Sequence, residues 1–85
     1  MRCLPGTPIS SIDTPALLVD CTVLQRNIQR LQEASDAAGI AVRPHIKAHK
    51  TPEVAQMPIR DGAIGVTCGK LGEAEEMEDG GMADI

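Results

Sequence analysis

The sequence predicts an α/β fold in which parallel strands alternate with helices, and three observations carry that expectation. Apolar runs too short for helices recur around 14–20, 40–43, 63–68 and 83–85. Between them lie segments with helical spacing and recognisable starts and stops. Each helical segment closes on glycine, at Gly39, at Gly62 and at Gly80-Gly81. Alternation of this kind implies parallel pairing through right-handed crossovers, in either a closed barrel or an open doubly wound sheet. A closed eight-stranded barrel needs about 250 residues. The 85 residues here hold a fraction of one and break off within the pattern, which is expected of a fragment.

Taken in order, residues 1–12 read as an irregular leader, because Pro5, Gly6 and Pro8 oppose a regular element. Residues 14–20 contain Ala16-Leu17-Leu18-Val19, a buried strand by composition. Leu24, Ile28, Leu31, Ala34 and Ala38 recur at helical spacing, so a helix is expected over 21–38, capped by Asp20 or Thr22. Thr51-Pro52-Glu53 starts a second helix with a capping hydroxyl, a first-turn proline and an acid at the positive end of the dipole. Pro58 is expected to kink or interrupt it before Gly62. A third helix is expected over 70–79, with Glu73, Glu75, Glu76 and Glu78 as its solvated face.

Composition narrows the function. The chain carries a net charge of −4 and has no Phe, Tyr or Trp, which argues against nucleic acid as a partner. No run approaches the roughly 20 apolar residues of a membrane span. The three cysteines, Cys3, Cys21 and Cys68, show no paired spacing, and no signal-peptide pattern opens the chain. A reduced, cytoplasmic setting is expected.

Against this acidic background, Arg43-Pro44-His45-Ile46-Lys47-Ala48-His49-Lys50 gathers five cationic or titratable side chains in eight positions. On a strand, Arg43, His45, Lys47 and His49 would fall on one side, with Val42, Pro44, Ile46 and Ala48 on the other. Same-side neighbours would then stand roughly 6.6 Å apart. A lysine between a histidine and an arginine suits a small anionic ligand and an activated amine. His45 and His49 have the i, i+4 spacing of a helical zinc pair. That pattern needs a helix and an adjacent glutamate, whereas position 46 is Ile and prolines flank the run, so no metal role is expected. Lys50 reads as a surface residue and Cys68 as a small buried apolar one.

These motifs resemble a known family. Residues 13–20 (Asp-Thr-Pro-Ala-Leu-Leu-Val-Asp), Asn27-Ile28, the run from Arg43 to Glu53, 62–68, Lys70-Leu71-Gly72-Glu73-Ala74-Glu75 and Gly80-Gly81 with Asp84-Ile85 are similar to the N-terminal region of the D-threonine aldolases. They also resemble the D-serine dehydratase-like enzymes. The resemblance implies the alanine-racemase type of fold, the N-terminal part of a (β/α)8 TIM-like barrel occupying 13–85, with a separate C-terminal β domain outside this chain. In such proteins the first strand, here about 15–20, joins the β domain.

The same resemblance implies pyridoxal 5′-phosphate as cofactor, held by Lys47, with His45 and Arg43 lining its pocket. It implies a lyase acting on β-hydroxy D-amino acids, homodimeric at full length, with divalent-metal ligands that this chain does not contain. The 85 residues alone are therefore expected to be inactive. A lysine that condenses with an aldehyde must lose its proton first. Nearby positive charge and partial burial both favour that loss, and Arg43 and His45 would supply the charge. The chain departs from the family pattern in two places. Gly69 stands where that pattern has glutamine, and Met57-Pro58 falls within an otherwise smooth helix. A dehydratase, a racemase or a non-catalytic cofactor-binding protein would share most of these features.

Overall fold

The computed structural model describes residues 4–85; Cys3 and its two predecessors lie outside them. A single 3-10 turn, Ile9–Ser11, precedes three helices: α1 (Cys21–Ala38), α2 (Pro52–Asp61) and α3 (Leu71–Asp79). The 3-10 turn corrects the expectation of a wholly irregular leader. Pro8 precedes it with φ −61°, and its carbonyl accepts the Ser11 N–H at 2.9 Å.

The three helices end alike, for a reason written in the sequence. After α1, Gly39 adopts φ 70°, its N–H donates to Asp36 O at 3.1 Å, and Ile40 N–H donates to Ser35 O at 2.9 Å. Gly62 and Ala63 repeat this pair of bonds on Ile59 and Pro58, and Gly81 and Met82 repeat it on Glu78 and Met77. This is the Schellman closure, and its left-handed residue is cheapest as glycine. At the other end of α1, Asp20 Oδ1 accepts the Val23 N–H at 3.1 Å, as the capping expectation requires.

The structure bears on two expectations about α2. The helix passes through Pro58 without interruption, at the cost of one internal N–H donor. The Thr51 hydroxyl does not cap it. That hydroxyl donates backwards to His49 O at 2.8 Å, and the Thr51 N–H donates to His49 Nδ1 at 2.9 Å.

The larger correction concerns strands. Among the described residues none forms a strand; the extended segments meet in one isolated parallel bridge, His45 with Thr67. Ile46 N–H donates to Thr67 O at 3.0 Å, Thr67 N–H to Pro44 O at 2.8 Å, and Ile64 N–H to Val42 O at 2.9 Å. The ladder stops there for two reasons. Pro44 has no N–H to return to Ile64. From 42 to 44 one segment advances two residues while the other advances three, from 64 to 67, as at a bulge. On the far side, Val66 N–H donates to Asp84 O at 3.0 Å, so 63–68 lies between the other two segments. Residues 14–19 have no strand partner among the described residues. Leu17 is 100% exposed, against the buried strand expected there.

The core lies between this three-segment layer and the helices. Ile46 and Val66 meet Ala55 of α2, Met77 of α3 and Met82, with Ile59 and Cys68 packed against them. Aliphatic side chains and methionine fill the space that aromatic rings would otherwise occupy. Helix α1 adds polar ties to α2 and its end: Gln25 Nε2 donates to Asp61 Oδ2 at 2.7 Å, and the buried Gln32 packs its amide against Gly62.

Candidate functional site

The parallel bridge delivers the cationic run to the C-terminal end of its segment, where ligands gather in parallel α/β folds. Beyond Ile46 the chain leaves the extended conformation. Residues 47–49 form a turn closed by Lys50 N–H donating to Ile46 O at 2.8 Å. Lys50 then takes φ 52°, a left-handed position unusual for a side chain of this kind. The expected one-sided row therefore ends early. Arg43 and His45 belong to the extended segment, whereas Lys47 and His49 sit on the turn.

Each member has its own surroundings. Lys47 is exposed, and its backbone N–H donates to His45 Nδ1 at 3.1 Å. As the acceptor, that nitrogen carries no hydrogen, which fixes the orientation of the ring. The Cε1–Nε2 edge of His45 faces Gly69; a Cβ on that glycine would stand 3.6 and 3.8 Å from these two atoms. His49 uses Nδ1 in the same way, toward Thr51, and burial pushes its pKa down. Arg43 turns toward the third segment, where its Nη1 meets Asp84 Oδ1 at 2.8 Å. That approach passes over Gly65, where a Cβ would collide with the Asp84 carbonyl and the guanidinium.

Two residues that sequence reasoning did not single out complete the cluster. Asp84 is the partner of Arg43. Glu73, expected on a solvated face, leaves only 10% of its side chain exposed. Its Oε1 accepts the Gly69 N–H at 2.9 Å, and its Oε2 lies 3.8 Å from Lys50 Nζ. The Gly69 bond, helped by Lys50, the Lys70 amide and His45, holds the Glu73 carboxyl below its usual range against the opposing effect of burial. The available signal was a glutamate three residues after the helix cap, a position that reaches back to the preceding amides. Cys68, partly buried beside it, has its thiol pushed up by burial and by Glu73.

A phosphorylated aldehyde needs an accessible primary amine, neighbouring cationic or N–H donors, and room. Exposed Lys47 and the oriented His45 ring fit the first two of these needs. Among the described residues no three His, Cys, Asp or Glu side chains converge as metal ligands. No helix among them is long and apolar enough to cross a membrane.

No protein-family model matches the chain. Individual relatives do. D-threonine aldolase from an Arthrobacter species is 40% identical over 81 residues, 95% of this chain and 21% of the relative. D-threo-3-hydroxyaspartate dehydratase from a Delftia species is 43% identical over 75 residues, 88% of this chain and 20% of the relative. The chain is homologous to the D-threonine aldolases and their dehydratase relatives over nearly all its length. The crystal structure of D-threonine aldolase from Filomicrobium marinum superposes with a TM-score of 0.83 at 39% identity, over 88% of this chain and 20% of that one. The Delftia dehydratase gives 0.84 at 43% identity, over 88% and 20%. The chain thus spans about a fifth of the length of the curated relatives it matches.

Proposed function

We propose that this chain supplies the cofactor-lysine region of a pyridoxal-phosphate-dependent lyase that cleaves β-hydroxy D-amino acids, of the D-threonine aldolase type. The observation that carries the reading is the placement of Lys47: an exposed amine on a closed turn just past the last paired residue, in a chain 40% identical to a D-threonine aldolase. The three extended segments with their covering helices are read as the opening units of a (β/α)8 barrel. Lys47 would hold the cofactor and His45 would flank it. Arg43, ion-paired with Asp84, would act on the site only from its flank. The bound cofactor supplies an electron sink for the bond to be broken. This chain's part is to present the amine and orient the imidazole beside it.

The remaining barrel, the β domain, a second protomer and the metal ligands would come from sequence outside these residues, in a cytoplasmic enzyme. A variant of a D-threo-3-hydroxyaspartate dehydratase 43% identical to this chain has been solved in a metal-free form, which supports a metal in such enzymes. That relative's 43% identity also favours a second reading, dehydration in place of aldol cleavage.

The complete protein, incubated with D-threonine and with D-threo-3-hydroxyaspartate, separates the two. Glycine with an aldehyde supports the aldolase; a 2-oxo acid with ammonia supports the dehydratase. Borohydride reduction in the presence of pyridoxal phosphate is expected to label Lys47, and a label confined to other residues defeats both readings.

A further inference from the structure

We infer that Glu73 is a positioning residue: its carboxylate bolts the Lys47-bearing turn to the loop that follows the middle segment. The inference rests on Lys47 being the reactive amine. One oxygen of Glu73 takes the Gly69 N–H at 2.9 Å, and the other faces Lys50 Nζ at 3.8 Å. Lys50 closes the 46–50 turn through its own N–H, and holds a left-handed φ of 52°. The carboxylate therefore reaches both ends of the cluster. Gly69 lies against the His45 ring, whose Nδ1 takes the Lys47 N–H, and Lys50 ends the turn on which Lys47 stands. An acid serving only as a helix cap would account for the bonds to the amides before α3. It would not need Lys50, nor a side chain left only 10% exposed beside the motif.

The test uses the complete protein with Glu73→Gln, Glu73→Ala and Lys50→Met, the last changing an exposed side chain. Two readouts are taken: amide hydrogen exchange over 46–50 and 69–73, and the rate at which borohydride fixes pyridoxal phosphate on Lys47. Glu73→Ala is expected to speed exchange in both stretches and to slow labelling of Lys47 about tenfold, with label spreading to Lys50. Glu73→Gln and Lys50→Met are expected to loosen 46–50 while 69–73 stays protected. Exchange that rises in 69–73 alone, with 46–50 and the labelling rate as in the parent, overturns the inference and leaves Glu73 a cap. If the parent itself takes no label on Lys47, the proposed function fails; exchange over 46–50 still decides whether Glu73 holds the turn.

Discussion

Residues 42–82 and residues 13–40 deal with apolar surface in opposite ways. The first stretch buries Ile46, Ala55, Val66, Met77 and Met82 together, and the cationic cluster stands directly on that core. The second leaves Leu17, Leu18, Val19, Leu31 and Ile40 exposed, and the buried residue of α1 is Gln32. Helix α1 is well capped and regular, yet its one buried side chain is an amide. Good local signals form an element; only complementary surface commits it to a core. The site therefore sits in the part of the chain that holds most of the buried apolar side chains.

The sharpest way to break this contrast is a pair of truncations. Met77→Ala removes a fully buried side chain and is expected to cost about 2–5 kcal/mol in urea unfolding. Leu17→Ala, at a fully exposed position, is expected to change stability by no more than about 0.5 kcal/mol. Equal effects would end the comparison. Next in size, Gly65→Ala forces a methyl against the Asp84 carbonyl and Arg43, and overpacking of that kind costs about 1–3 kcal/mol. The same unfolding measurement should show it, with loss of protection at the Val66 amide. Smaller again, Gln25→Ala removes the tie from α1 to Asp61 and should cost about 1 kcal/mol. A larger loss would show that α1 is more deeply committed than its exposure indicates.

The smallest effects are in pH. Glu73 has its folded pKa below the unfolded value, so its ionised form stabilises the fold above the ordinary glutamate range. That contribution is lost as pH falls through the lower folded value. In Glu73→Gln the acid limb of the stability curve should flatten. His49 is also depressed, but as a base: the fold favours its neutral form above the ordinary histidine range. Stability should fall as pH drops from that range to the lower folded value, and His49→Asn should remove the drop.

The helices were legible because their signals are local. Asp20, Gly39, Gly62 and Gly81 each act on amides or carbonyls within a turn of themselves, and Pro52 sets the first-turn φ of α2. The strands were not, because pairing depends on residues distant in sequence. Pro44 lacks the donor its neighbour needed, a count of three against two breaks the register, and 14–19 has no partner among the described residues. In the site, the run from Arg43 to Lys50 was visible as composition, and its likeness to the aldolases and dehydratases holds across the chain. Its assumed strand geometry failed at Lys47, where the turn begins. Glu73 was missed because an acidic helix face looks solvated until the loop before it is known to fold back.

The closed turn after Ile46 has a mechanical consequence. Its start is fastened to Thr67 by Ile46, its end returns to Ile46 through Lys50, and α2 begins at once. The turn that carries Lys47 is thus anchored at both ends on Ile46, which is itself bonded to the middle segment. Most of the reach of the amine then comes from rotation about its own four methylenes, a supple arm on a footing pinned at either end.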